Sequence, residues 1–341
     1  MIIEGQNLHY KRLLIAEIGN NHEGDEQLAM DMVAAAAETG ADGVKVQIIN
    51  PERLVHASQS ERIAQLQRFR LPNRAYMTMA EAARVKGMLF LATPFDVETL
   101  EWTAPFMSAI KIASGDLDYI PLLAAAARSG KPVIVSTGMG TLSEVGAAVR
   151  TIEQSLPSDR TLDDSLALLH CVSAYPTPLA EVNLCAMETL RDTYGLTVGY
   201  SDHTLGVEVA TAALALGARI IEKHFTLDKT RTTFRDHALS ADPAEMQRLA
   251  SLVHVFDDVL GTGEKRPMPC ERSAVFAARR GAVALRDIPA GTNLAATDLD
   301  FVRPRSGVSP SRVVEMLGSP LRASLKQYEF LLPEHVSESR L

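Results

Sequence analysis

The chain has 341 residues, 46% hydrophobic and 22% charged, which is enough for one large domain of roughly 250 residues plus a small one, or for two of medium size, around a sizeable core. A formal charge of −8 argues against nucleic acid or an anionic membrane as the main partner and leaves room only for a locally basic pocket. Three cysteines, Cys171, Cys185 and Cys270, are odd in number and lack a CxxC spacing; with no signal-peptide core in "MIIEGQNLHYKR" and no apolar run near the roughly 18 residues that span a bilayer, a reduced cytoplasmic protein is expected.

Along the chain one rhythm repeats: a short β-branched or apolar run ends in polar residues and passes into an Ala/Leu-rich stretch that stops at Gly. The runs are "LLIAEIG" (13–19), "GVKVQII" (43–49), "MLFLATP" (88–94), "AIKIAS" (109–114), "PVIVSTG" (132–138), "LALLHCV" (166–172), "TVGYSDH" (197–203) and "RIIEKHF" (219–225). Helical stretches lie between them at 26–40, 122–130, 143–154 and 207–217, and the last follows at 243–261. Near-continuous apolar strands alternating with helices indicate a parallel sheet covered by helices. Eight units over about 250 residues predict an α/β fold, a (β/α)8 TIM barrel, rather than an open sheet. No GxGxxG follows the first strand, which disfavours a dinucleotide site. The rhythm gives a barrel over 1–262, a linker over 263–276, and a small β-rich module over 277–341 whose size is marginal for an isolated core.

Active sites of such barrels stand at the C-terminal strand ends. Those ends carry Glu17, Asn20, Asn21 and His22; Lys45 and Gln47; Thr93; Lys111, Ser114 and Asp116; Ser136 and Thr137; Ser173 and Tyr175; Ser201, Asp202 and His203; Glu222 and His224. Residues two apart on a strand face the same way, so Lys45 with Gln47, Ser201 with His203, and Glu222 with His224 are same-side pairs. One helical crossover brings His224 back beside His203. Two adjacent imidazoles suit a divalent first-row metal with open positions, or else two structural histidines bonded at strand ends. Lys45 and Lys111 can be Schiff-base nucleophiles, an anion clamp with Thr93, Ser114, Ser136 and Ser201, or caps on rim carboxylates. Glu17 and Asp116 are candidate acid/base groups or lysine partners. Asn21 and His22 are candidates for positioning substrate. His170 and Cys171, inside an apolar run, read as core residues, with Cys171 a conceivable third metal ligand.

The motifs "LLIAEIGNNHEGD", "GADGVKVQ", "KGMLFLATPFD", "KIASGDL", "KPVIVSTGM", "HCVSAYPTP", "VGYSDHT" and "IEKHFTLD" together resemble the sialic acid synthase family, and the tail "VALRDIPAG...DFVRPRSGVSP" resembles its C-terminal antifreeze-like (SAF) module. The resemblance implies condensation of phosphoenolpyruvate with an N-acetylhexosamine-type aldose, N-acetylmannosamine or a diacetamido-trideoxy hexose, to a nine-carbon 2-keto acid with loss of phosphate by C–O cleavage. It implies a divalent metal, Mn2+ before Mg2+ or Co2+, on His203 and His224. It also implies phosphoenolpyruvate contacts at Lys45, Thr93, Lys111, Ser114, Ser136 and Ser201, and sugar contacts at Glu17, Gln47, Tyr175 and Asp236. A domain-swapped homodimer is implied, whose SAF module brings Arg303 of "VRPRSG" to the partner's sugar. The chain departs from the family pattern in "TTFRDHALS", at Ser173, and over 51–79; these loops are expected to set the sugar. Two rival readings follow. One is a synthase for a phosphorylated aldose, with Arg70, Arg74 or Arg235 on the second phosphate. The other is an inactive barrel carrying a carbohydrate- or ice-binding module, which has no need of polar residues on all eight strand ends.

Overall fold

The computed structural model describes residues 1–336, so residues 337–341 of the small module lie outside the described residues. Eight parallel strands close into a barrel: β1 (Leu13–Gly19), β2 (Gly43–Ile48), β3 (Leu89–Pro94), β4 (Ala109–Ile112), β5 (Val133–Ser136), β6 (Leu166–His170), β7 (Thr197–Asp202) and β8 (Ile220–His224). Each strand falls within the apolar run expected to form it, and β8 pairs back onto β1.

Alternation divides every strand between two cores. Outward residues such as Leu14, Val46, Phe90, Ile110, Val135, Leu168, Val198 and Ile221 pack with the surrounding helices. Inward residues form a separate cluster of Leu13, Ile15, Leu89, Leu91, Ala109, Ile134, Ala167, Leu169 and Ile220. A short antiparallel hairpin, Ile2–Ile3 with Gln6–Asn7, adds Met1, Ile3 and Leu8 to this interior and closes its floor.

The helices start where their capping residues say they must. The Asp25 side chain accepts from the amides of Gln27 and Leu28 ahead of Glu26–Glu38. Thr141 with Glu144, and Asp242 with Glu245, form reciprocal capping boxes on Leu142–Ser155 and Pro243–Leu260. The divergent segment between β2 and β3 holds three helices, Pro51–Leu54, Ser60–Phe69 and Asn73–Val85. The middle one buries only Leu66, so it forms a projecting wall rather than part of the core.

The chain divides into two compact units, Met1–Gly261 and Thr262–Leu341. In the second, a 3-10 turn at Pro269–Glu271 runs into a helix at Arg272–Ala278. Strands β9 (Gly281–Ala284) and β10 (Leu299–Val302) then pair antiparallel. They pack with Ile288, Leu294, Val313, Leu321, Leu325 and Leu331 in a core of the unit's own. Among the described residues no helix is long and apolar enough to cross a membrane.

Gly199, on β7, leaves no room for a side chain. A Cβ there would lie 2.3 Å from the Ile220 carbonyl oxygen and 2.7 Å from Leu169 Cδ2. Overpacking of this kind typically costs about 2 kcal/mol. Gly199→Ala is therefore expected to lower the urea midpoint with an unchanged m-value, because the added methyl meets backbone that cannot turn aside.

Candidate active site

Two residues above the last apolar layer, the same inward face turns polar. Glu17 continues Leu13 and Ile15; Thr93 continues Leu89 and Leu91; Lys111 follows Ala109; Ser136 follows Ile134; Glu222 and His224 follow Ile220. With Lys45, Gln47, Ser201 and His203 they line a cavity of ≈ 320 Å³ at the C-terminal mouth. Ser114, Ser173, Tyr175 and Arg235 join them from the loops.

Four charges lie at its base, each almost wholly buried. Lys45 Nζ stands 2.8 Å from Glu17 Oε2 and 3.6 Å from Glu222 Oε2, while Lys111 Nζ is 3.7 Å from Glu222 Oε1. Thr93 Oγ1 accepts from Lys45 at 3.1 Å, and Ser201 Oγ donates to Glu222 at 2.9 Å. Gln47 Nε2 donates to Glu17 Oε1 at 3.1 Å, and Gln47 Oε1 accepts from Asn20 Nδ2 at 2.8 Å, so the amide that holds the carboxylate is itself oriented. Burial raises the Glu17 pKa, and the Glu222 charge adds to it against the pull of Lys45. For Lys45, burial works downward, but Glu17 and Glu222 outweigh it and hold the ammonium charged. Burial lowers Lys111, which Glu222 only partly offsets.

The crossover from β7 to β8 returns His224 beside His203, with ring centroids 5.7 Å apart. Burial lowers both pKa values, keeping both imidazoles neutral with lone pairs available. His203 Nδ1 donates to the Val172 carbonyl at 2.8 Å, which leaves Nε2 as the nitrogen open to a ligand. His224 Nδ1 is buried with no partner. An orphaned buried nitrogen beside a second neutral imidazole fits a divalent cation. Among the described residues no third His, Cys, Asp or Glu completes a closed metal cluster, so such an ion would keep open positions. Cys171 is buried 3.0 Å from Ser114 Oγ.

Tyr175 lies 4.2 Å from the His203 ring centroid, and the Arg235 guanidinium stands 4.6 Å above the Tyr175 ring. Burial raises the Tyr175 pKa, so its hydroxyl stays protonated. Asp116 and Asp236 are not among the mouth's lining. Asp116 sits in the 3-10 turn after β4, and Asp236 is held 3.1 Å from Arg235 Nε. Arg303 belongs to the second unit. Of the arginines considered for a second phosphate, Arg235 reaches the mouth; Arg70 is exposed and Arg74 pairs with Glu26 at the surface.

Asn21 and His22 are loop ties. Asn21 donates to the Phe225 carbonyl and to Ser240, and His22 Nδ1 accepts from the Gly24 amide while burial lowers its pKa to about 4. His170, bonded to the Val182 carbonyl at 2.8 Å, is a satisfied core residue. Glu222 is the functional group the sequence left without a role. Its place two residues before His224 already set it on the inward face, and only the fold reveals both lysines beside it.

A NeuB family model matches residues 32–265, and a SAF domain model matches 279–337. The chain is 38% identical to an N,N'-diacetyllegionaminic acid synthase of Legionella pneumophila over 95% of its own length and 94% of that protein. Among solved structures it is similar to an N-acetylneuraminic acid (sialic acid) synthetase of Leptospira borgpetersenii, with a TM-score of 0.72 at 36% identity over 78% of this chain and 90% of that one. A putative spore coat polysaccharide biosynthesis protein E of Chromobacterium violaceum gives a TM-score of 0.83 at 26% identity over 96% and 100%.

Burial, then the Asp118 charge, raises the Asp116 pKa from 3.8 to about 6, with Lys111 opposing. The folded carboxyl keeps a proton that the unfolded chain releases, so stability declines as pH rises from about 4 to about 6. Asp116→Asn cannot ionise. Its stability relative to the wild type is expected to rise across that window in denaturant titrations and to level off above it; a pH-independent difference would show an ordinary Asp116.

Proposed function

This chain belongs to the NeuB family and ends in a SAF domain, and from that premise we propose that it condenses phosphoenolpyruvate with an N-acetylhexosamine-type aldose. The products would be a nine-carbon, sialic-acid-like 2-keto acid and inorganic phosphate. The observation that carries this reading is the mouth's pairing of two chemistries within ≈ 320 Å³: two buried lysines among hydroxyls, and two neutral histidines beside them. Lysines with hydroxyls match the phosphate and carboxylate of phosphoenolpyruvate. The similar legionaminic and sialic acid enzymes support the same assignment.

In the proposed reaction Lys45 and Lys111 bind the anionic oxygens, and Thr93, Ser114, Ser136 and Ser201 orient them. Ser136 Oγ is buried without a partner, as expected of a hydroxyl whose acceptor is substrate. C3 of phosphoenolpyruvate bonds to the aldehyde carbon, whose oxygen gains a proton. Water then adds at C2, and the C2–O bond breaks with its electron pair leaving on phosphate. Glu17 is the carboxyl best placed to pass protons: it lies in the mouth, and burial raises its pKa, which favours its taking one up. Asp116, outside the mouth's lining, feels the Lys111 charge, and its part in the reaction would run through that lysine. Gln47 and Tyr175 position the sugar. His203 and His224 would hold a divalent ion, Mn2+ first, which when bound supplies a Lewis acid toward the aldehyde.

The test is phosphate release from phosphoenolpyruvate with Mn2+ across a panel of aldoses, with mass spectrometry of the product. His203→Ala and His224→Ala are each expected to lower release by about 100-fold or more and to weaken Mn2+ binding in calorimetry, with unchanged circular dichroism. Full activity of either variant after chelator treatment would remove the histidine pair from the mechanism.

A further inference from the structure

Arg235 belongs to "TTFRDHALS", the loop after β8 where the chain departs from the family pattern, and it stands over a residue of the mouth. Its guanidinium carbon lies 4.6 Å from the centroid of the Tyr175 ring, and that ring lies 4.2 Å from the His203 ring with the planes 31° apart. The loop that carries Tyr175 is tied to the end of β7: the Thr177 amide donates to the His203 carbonyl at 3.0 Å, and His203 Nδ1 donates to the Val172 carbonyl at 2.8 Å. These bonds fix backbone on either side of Tyr175. They do not fix its side chain, whose hydroxyl has no hydrogen-bond partner among the described residues.

Arg235 is held from behind. Its Nε donates to the buried Asp236 carboxylate at 3.1 Å, which sets the plane of the guanidinium. Before it in the chain, the Phe234 ring meets Phe69 edge to face at 5.0 Å and His237 at 6.1 Å, and the Phe234 amide donates to Thr232 Oγ1 at 3.1 Å. His237, itself buried, bonds Thr226 Oγ1 at 2.7 Å and Glu23 Oε1 at 3.1 Å, and Glu23 accepts from Thr232 Oγ1 at 2.9 Å. Gly24, at φ +85°, lies so close beneath the helix Ser60–Phe69 that a Cβ would fall 2.1 Å from the Arg68 carbonyl oxygen, so the Phe69 wall rests on the same loop. Arg235 also stands at a border. It lines the mouth and an outer cavity of ≈ 640 Å³ to which Arg62, Arg68 and Phe69 contribute. With 64% of its side-chain surface exposed, no demand of the core accounts for its placement.

We propose that Arg235 is a positioning residue for the aldose, clamping the Tyr175 ring so that its hydroxyl meets the sugar in one orientation. The inference rests on the synthase reading above and adds the residue that gives Tyr175 its geometry. A cation over an aromatic face is attractive, weakly at an exposed site and more strongly once water is excluded, so a sugar that closes over the stack tightens the clamp. A Tyr175 free to change rotamer would lose that freedom on binding, at a cost to affinity that the clamp removes beforehand. With its plane on the ring and its Nε on Asp236, Arg235 acts through Tyr175 rather than on the reacting atoms.

The experiment measures phosphate release from phosphoenolpyruvate with Mn2+ and either N-acetylmannosamine or a diacetamido-trideoxy hexose. It compares the wild type with Arg235→Ala, Arg235→Lys, Tyr175→Phe and the double variant Arg235→Ala/Tyr175→Phe. Arg235→Ala should raise the KM of the aldose by about tenfold and leave that of phosphoenolpyruvate within about twofold, with the wild-type urea midpoint. Arg235→Lys, which keeps a cation but not a flat one, should recover part of the loss. In the Tyr175→Phe background, Arg235→Ala should change the aldose KM by less than about twofold, because the hydroxyl it places is gone. Fully multiplicative effects of the two substitutions overturn the proposal, as does an Arg235→Ala effect absent or confined to the KM of phosphoenolpyruvate. Absence of release by the wild type with every aldose overturns the synthase reading and this inference with it, a failure distinguished by the lack of any turnover.

Discussion

A closed parallel barrel has one interior, and the two-residue period of its strands decides what enters it. Here the lower positions are Leu, Ile and Ala, packed over a floor made by the N-terminal hairpin, and the next inward positions are Glu17, Lys45, Thr93, Lys111, Ser136, Ser201 and Glu222. The apolar layers keep water from reaching the polar ring from below. The ring can therefore exchange its contacts only through the mouth, which is where a substrate arrives.

That placement obliges the charges to answer one another. A buried ion pair is no gain over apolar residues of similar shape, and a lone buried charge costs several kcal/mol. Lys45 accordingly rests on Glu17 and leans toward Glu222, and Lys111 leans on the same Glu222. The arrangement holds two ammonium groups fixed and desolvated before any anion binds, which is the condition under which electrostatic binding needs little reorganisation. An incoming phosphate or carboxylate displaces contacts to Glu17 and Glu222. The carboxyl with the raised pKa, Glu17, is the one that can take up a proton as its lysine turns away.

The strands were legible because burial on both faces makes each an almost unbroken apolar run, and most helices because caps such as Thr141–Glu144 are local signals. The mouth was legible because strand ends are easy to find and alternation is fixed. From the run boundaries alone, Lys45, Gln47, Ser201, His203, Glu222 and His224 fall on the inward side. The loops were not legible in this way. Asp116 leaves the inward face as soon as the chain turns into its 3-10 segment, and alternation ends there. Neither Arg62 nor Arg68 was singled out, because a helix that buries only Leu66 looks like an ordinary polar surface helix. Their meeting with Arg235 depends on Gly24 and Glu23, which act across long separations in sequence.

One further pair shows that the two histidines are held from outside the cavity as well. Lys223 and Asp202 flank His224 and His203 in sequence but face the helices, and their side chains meet at 2.8 Å with no solvent exposure. Lys223 also donates to the Thr204 carbonyl, while Asp202 accepts from the Thr204 amide and hydroxyl. His203 thus lies between two residues tied to one buried ammonium, and that ammonium sits on the strand carrying His224. A slip of β7 against β8 by one residue would separate Lys223 from Asp202 and leave two charges unpaired in an apolar layer. The register that aligns Glu222 with Ser201 and brings the imidazoles together is enforced by a penalty on the opposite face of the sheet. A barrel with no chemistry at its mouth would be simpler with apolar residues in both layers.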